Sequence, residues 1–150
     1  MTEAINTKFD TVMIIEDNQI DLYIISHLIK HGIFAKNIIS YTNAEKAINY
    51  LIENQNCKIS LPQVIFVDIF MPIMSGFEFI EAYENLPLLL KSNCRVFFVS
   101  STIDKNEIKR VQSNKNIEAF HSKPLTALFL ESITPSIRQP RQSLIKVLEK

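Results

Sequence analysis

Apolar positions along this chain fall into two rhythms. Three short runs are continuous: Val12–Ile15 (VMII), Val64–Val67 (VIFV) and Val96–Val99 (VFFV). Runs without polar alternation predict strands covered on both faces, as in a parallel sheet. Two weaker runs, Ile38–Ser40 (IIS) and Glu118–His121 (EAFH), take their place in the same series. Between the runs the spacing becomes helical. Ile20, Ile24 and Leu28 recur at i, i+4, i+8, and Ala44, Ala47, Ile48, Leu51 and Ile52 follow i, i+3, i+4, i+7, i+8. Leu125, Leu128 and Phe129 predict a last helix. Thr42 with Glu45 and Ser75 with Glu78 match the S/T-x-x-E capping box, and Asp104 before Glu107 is a weaker start signal of the same kind. Pro87 predicts the end of the third helix.

The order is strand then helix, repeated five times. That alternation implies an α/β fold, with a parallel sheet covered by helices on both faces. Right-handed crossovers narrow it to a doubly wound five-stranded sheet, for which we expect the flavodoxin-like order 2-1-3-4-5. A length of 150 residues suits one domain, with residues 134–150 as a tail too short for a second. Leu144, Ile145, Val147 and Leu148 would give that tail a short amphipathic helix.

Composition removes several classes of function. Lys plus Arg equal Asp plus Glu at 16 each, so overall charge gives no reason to expect nucleic acid or an anionic membrane as partner. The first ten residues, MTEAINTKFD, lack the apolar centre of a signal peptide, and no stretch approaches the ~20 apolar residues of a membrane span. The expectation is a cytoplasmic protein. Cys57 and Cys94 form no C-x-x-C and read as reduced thiols. The only glycines are Gly32 and Gly76, so neither G-x-G-x-x-G nor a phosphate-binding P-loop can be written.

The polar residues that end the predicted strands carry the chemistry. Glu16 and Asp17 follow the first, Asp68 the third, Ser100 and Ser101 the fourth, and Lys123 the fifth, just before Pro124. In a doubly wound sheet, ligands bind beyond the carboxyl ends of the strands at the switch in strand order. Three carboxylates gathered there would raise one another's pKa values. A hard divalent cation relieves that conflict, and Mg²⁺ takes oxygen ligands of this kind. Asp68 could then attack a phosphoryl group, with the metal and Lys123 neutralising the transferring oxygens.

The same residues resemble a known family. IIEDN (Ile14–Asn18), VDIFMPIMSG (Val67–Gly76), FVSST (Phe98–Thr102) and HSKPL (His121–Leu125) are similar to the four signatures of receiver domains of two-component response regulators, of the single-domain type found in chemotaxis and sporulation relays. The likeness spans residues 10–133, leaving 1–9 as an N-terminal extension. It implies that Asp68 is the phosphoacceptor and that Glu16 and Asp17 form the acidic pair, Asp17 being the direct ligand of Mg²⁺, for which Mn²⁺ would substitute. It also implies that Asp68 and the backbone carbonyl of Phe70 bind the metal. Ser100 matches the switch hydroxyl, Lys123 the phosphate-contacting lysine, and Phe120 the switch aromatic. Phe70 and Thr102 occupy positions that tune phosphoryl lifetime in the family, and a bulky apolar Phe70 would alter access of the hydrolytic water. No glycine precedes Phe120, where the family often has one.

By this likeness the chain is not a turnover enzyme. A sensor histidine kinase or histidine phosphotransfer protein would supply the phosphoryl group. The output would be protein–protein contact or phosphoryl relay, with a monomer as the default and a dimer through the fourth helix, fifth strand and fifth helix as the alternative. Two rivals stand beside it. A haloacid-dehalogenase-type phosphatase would want D-x-D after the strand, where this chain has Phe70. A phosphorylation-independent receiver-like interaction domain would predict loss of a site residue, and Glu16, Asp17, Asp68, Ser100 and Lys123 are all present. His27 and His31 have metal-ligand spacing but no further ligand nearby, which reads as an exposed helix face. Met71 and Met74 read as a packed turn rather than a soft metal site. Arg138, Arg141, Lys146 and Lys150 make a weak basic patch that reads as solvated.

Overall fold

The chain's structure is a computed structural model that describes residues 6–101 and 104–135. Five strands, β1 (Phe9–Ile15), β2 (Ala35–Tyr41), β3 (Val64–Val67), β4 (Arg95–Ser100) and β5 (Ile117–Ser122), form one sheet in the order β2-β1-β3-β4-β5. Every pairing is parallel. Around it lie α1 (Gln19–His31), α2 (Ala44–Glu53), α3 (Gly76–Glu84), α4 (Leu88–Asn93), α5 (Lys105–Ser113) and α6 (Ala127–Ser132). The flavodoxin-like order expected from the alternation is the order found.

Why the central runs are continuous is plain from the two cores. Successive strand residues point to opposite faces. Met13, Ile15, Ile65, Val67 and Phe98 enter one core with Ala47, Phe79, Ile80, Leu90 and Val111 of α2–α5. Val12, Ile14, Val64, Phe66, Phe97 and Val99 enter the other with Ile25 and Ile29 of α1 and Leu130 of α6. The weak runs are the edge strands. β2 is largely half-buried or exposed after Ala35, and β5 is mostly half-buried.

Three local expectations are corrected. The cap of α2 is Asn43, not Thr42: its side chain accepts from the Glu45 and Lys46 amides at 2.8 and 3.3 Å. Asparagine in extended backbone reaches those amides directly, so no reciprocal glutamate is needed. Pro87 does not end α3, which stops at Glu84 with Asn85 as its cap. It stands instead at the start of α4, a helix the spacing did not predict. A proline has no N–H to lose at a helix start. In α1 the buried residues are Ile25 and Ile29, whereas Ile20 is 72% exposed. Two apolar stripes overlap on this helix, and the sheet takes the one that continues into Phe34 and Phe66. The Ser75–Glu78 capping box and the Asp104 cap form as expected. The proposed tail helix and basic patch lie outside the described residues. Among those described, no helix is long and apolar enough to cross a membrane.

Candidate functional site

The strand order changes direction between β1 and β3, and the site forms where those two strands end. Each ladder runs one residue past its strand. The Glu16 amide donates to Tyr41 O (3.0 Å), the Asp68 amide to Ile15 O (3.1 Å) and the Lys123 amide to Ser100 O (2.9 Å). These bonds fix three charged side chains on one rim, although each lies outside regular structure or at its edge.

Glu16, Asp17 and Asp68 offer carboxylate oxygens that all lie within 4.8 Å of one another. Glu16 and Asp68 are buried, at 1% and 6% exposure. The Asn18 amide donates to Glu16 Oε2 at 3.2 Å, while the Asn18 side chain caps α1. Lys123 Nζ lies 2.6 Å from Glu16 Oε1, 2.8 Å from Asp21 Oδ2 and 3.5 Å from Asp68 Oδ2.

The charge balance is uneven. Burial pushes the Glu16 carboxyl up to about 7, and the Asp68 charge adds to that against the opposing pull of Lys123. Burial likewise raises Asp68, against the Lys123 charge. For Lys123 burial works against the ammonium, but hydrogen bonds to Asp21 and Glu16 and the fields of Asp68 and Glu16 prevail and raise it. One ammonium therefore does not satisfy this many acids. Three hard oxygen donors with too little positive charge fit a small divalent cation such as Mg²⁺ or Mn²⁺, so the donor set passes the test of chemistry.

Two further features shape the rim. Ser100 is fully buried, and its hydroxyl has no hydrogen-bond partner among the described residues. It sits two residues past Phe98, the register partner of Val67, and so level with the turn that follows Asp68. Gly76 opens α3 directly against the backbone of Asp68. A Cβ there would meet Asp68 O at 2.5 Å and Ile69 Cα at 2.9 Å. The Gly76 amide donates to Ile69 O at 2.8 Å, closing the turn.

The other expected residues divide. Phe70 lies in the turn after Asp68 with its side chain 52% exposed. Phe120 is half-buried against the core formed with α2–α5. Thr102 lies outside the described residues. The rings of His27 and His31 lie 4.0 Å apart, tilted by 34° to each other, and take no part in the acidic group. Asp21 is the residue that sequence reasoning missed. It lies four residues past Asp17 in the first turn of α1, a spacing that by itself carries no signal of the approach to Lys123. A cavity of about 460 Å³ opens at the amino ends of the strands, lined by residues such as Asp10, Lys36 and Lys58, and includes none of Glu16, Asp17, Asp21 and Asp68.

Comparison with known proteins adds to this geometry. The family model described as the response regulator receiver domain matches residues 12–133. A two-component response regulator from Cytophaga hutchinsonii aligns with a TM-score of 0.76 at 27% identity, covering 95% of this chain and 99% of that one. A response regulator receiver protein from Dyadobacter fermentans aligns with a TM-score of 0.69 at 30% identity, covering 82% of this chain and 93% of that one. The Mn²⁺-bound form of the response regulator Rcp1 shares the fold, with a TM-score of 0.62 at 17% identity over 81% of this chain and 86% of that one. No curated protein sequence matches.

Proposed function

The chain belongs to the response regulator receiver domain family, and from that premise we propose that it accepts a phosphoryl group on Asp68 in a Mg²⁺-dependent reaction and thereby switches its protein contacts or passes the group on. The observation that carries this reading is the gathering of Glu16, Asp17 and Asp68 within 4.8 Å, beside Lys123, at the switch in strand order.

Glu16, Asp17, Asp68 and the Phe70 carbonyl would hold the cation. When bound, Mg²⁺ supplies positive charge that offsets the acids and the incoming phosphoryl oxygens. The rest falls to the chain's own residues. An Asp68 carboxylate oxygen forms the new bond to phosphorus while the donor's phosphorus–nitrogen bond breaks, the electron pair leaving on the imidazole nitrogen of a phosphohistidine. Lys123 neutralises phosphoryl oxygen at the rim. The unpaired Ser100 hydroxyl donates to the same group once it is in place, and Phe120 moves with it. Phe70 and Thr102 would set the lifetime of the acyl phosphate. The donor is a sensor histidine kinase or histidine phosphotransfer protein in the cytoplasm, the readout is a protein partner, and the chain acts as a monomer.

The test is incubation with phosphoramidate and Mg²⁺, followed by intact-mass measurement. One phosphoryl group per chain is expected, lost in Asp68→Asn and on chelation of the metal. Full retention of the gain in Asp68→Asn would overturn the assignment. No gain from phosphoramidate or from any kinase would favour a phosphorylation-independent interaction domain.

A further inference from the structure

The geometry points to Asp21 as a positioning residue that holds the Lys123 ammonium back from Asp68 until a phosphoryl group draws it across. The inference rests on the receiver reading and assigns a role to a residue outside the metal-binding acids. Lys123 has three carboxylates in range, and the acceptor is the farthest: 2.6 Å to Glu16, 2.8 Å to Asp21, 3.5 Å to Asp68. Of the two nearer ones, Glu16 belongs to the three-acid group, and a bound cation would claim its charge. Asp21 does not belong to it. With the cation in place, Asp21 is the competitor that remains.

The position of Asp21 is built rather than incidental. Its amide donates to Asn18 Oδ1 at 3.0 Å, which fixes the first turn of α1 beside the rim. Its side chain is 33% exposed, against 1% for Glu16 and 7% for Asp68. Water can take over solvation of Asp21 when the lysine leaves, so this is the partner most easily surrendered. Lysine suits such an exchange, being a compact charge on a flexible four-carbon stem. A phosphoryl group on Asp68 would bring about −1.5 to −2 charge and three acceptor oxygens. Asp21 and the phosphoryl group then compete for one ammonium. The strength of the Asp21–Lys123 pair is subtracted from the gain on phosphorylation, which places it among the terms that set the balance of resting and switched states.

The alternative is that the pair only ties α1 to the end of β5. Titration with the beryllium fluoride anion in the presence of Mg²⁺, a non-covalently transferred phosphoryl analogue, separates the two. Asp21→Asn should bind the analogue about two- to fivefold more tightly than the natural chain, the range expected from loss of a partly exposed ion pair. Asp21→Glu should return the affinity toward the natural value. In the natural chain, the Lys123 side-chain nitrogen signal in NMR should shift on adding the analogue and lie closer to its bound position in Asp21→Asn beforehand. Unchanged or weaker binding by Asp21→Asn, or a lysine signal indifferent to the substitution, would overturn the inference while leaving the receiver reading intact. Failure of the natural chain to bind the analogue at all would instead overturn the receiver reading, and this inference with it.

Discussion

Lys123 Nζ stands 2.6 Å from Glu16 Oε1, so the lysine at this rim is paired first with a buried acid of the cluster. The pairing is incomplete compensation, because Glu16 still titrates near 7 instead of 4.5. Folded Glu16 thus keeps its proton where the unfolded residue would release it. Between those pH values the folded state binds more protons, so stability falls as pH rises. Metal-free protein should lose on the order of 1–3 kcal/mol across that window through this group. Glu16→Gln should flatten the slope in calorimetric melts at pH 5, 6, 7 and 8, and a slope unchanged by the substitution would count against the charge assignment. Mg²⁺ binding to the natural chain near pH 6 should release protons, visible as a buffer-dependent heat.

Ser100 offers a prediction with opposite signs in two states. A buried hydroxyl without a partner costs about 1–3 kcal/mol. Ser100→Ala should therefore leave the resting fold as stable as before or somewhat more stable in urea titrations. On the proposed role of the hydroxyl as a donor to the phosphoryl group, the same variant should weaken binding of the beryllium fluoride anion severalfold. A clear loss of resting stability would mean that Ser100 already has a partner.

Gly76 is a packing requirement at the Asp68 backbone. A methyl group there would have to displace the Asp68 carbonyl, which lies 2.5 Å from the Cβ position. Gly76→Ala should cost about 1–3 kcal/mol in denaturant unfolding, the usual penalty of overpacking. It should also slow phosphorylation of Asp68 more than Ile73→Ala does, since Ile73 is 79% exposed in the same turn.

Phe70 is half exposed two residues past Asp68. A bulky apolar ring there should hinder the water that hydrolyses the acyl phosphate. Phe70→Asn should shorten the phosphorylated lifetime severalfold, measured by mass after removal of the donor. An unchanged decay would refute the role.

Arg95 and Glu118 tie β4 to β5 through two contacts, Nε to Oε1 at 2.9 Å and Nη2 to Oε2 at 2.6 Å. Arg95 also lies over the Phe9 and Phe97 rings. Glu118→Gln leaves a partly buried guanidinium without its counter-charge. It should destabilise the fold by about 1–3 kcal/mol in urea.

The fold was legible where burial is strongest. Val64–Val67 and the core of β1 and β4 are buried on both faces, so their apolar runs are unbroken and mark strands directly. The edge strands β2 and β5 pack on fewer neighbours, and their residues answer partly to solvent, which is why IIS and EAFH gave short, weak signals. α4 was missed because only Leu90 of its three leucines is buried, so no periodic stripe exists. Glu16, Asp17, Asp68 and Lys123 could be found from their places after strands, because the ladder itself carries those residues to one rim. Asp21 could not. Its approach to Lys123 depends on how α1 leaves the sheet, and spacing along the chain does not report that angle.

The most direct test of the central claim is to locate the phosphoryl group. Borohydride reduces an acyl phosphate and leaves its aspartate as homoserine, which peptide mass spectrometry can assign to a position. After treatment with phosphoramidate and Mg²⁺, conversion is predicted at Asp68 alone and only when the metal is present. Conversion at Asp17 or Glu16 with Asp68 untouched, or equal conversion without metal, would contradict the account.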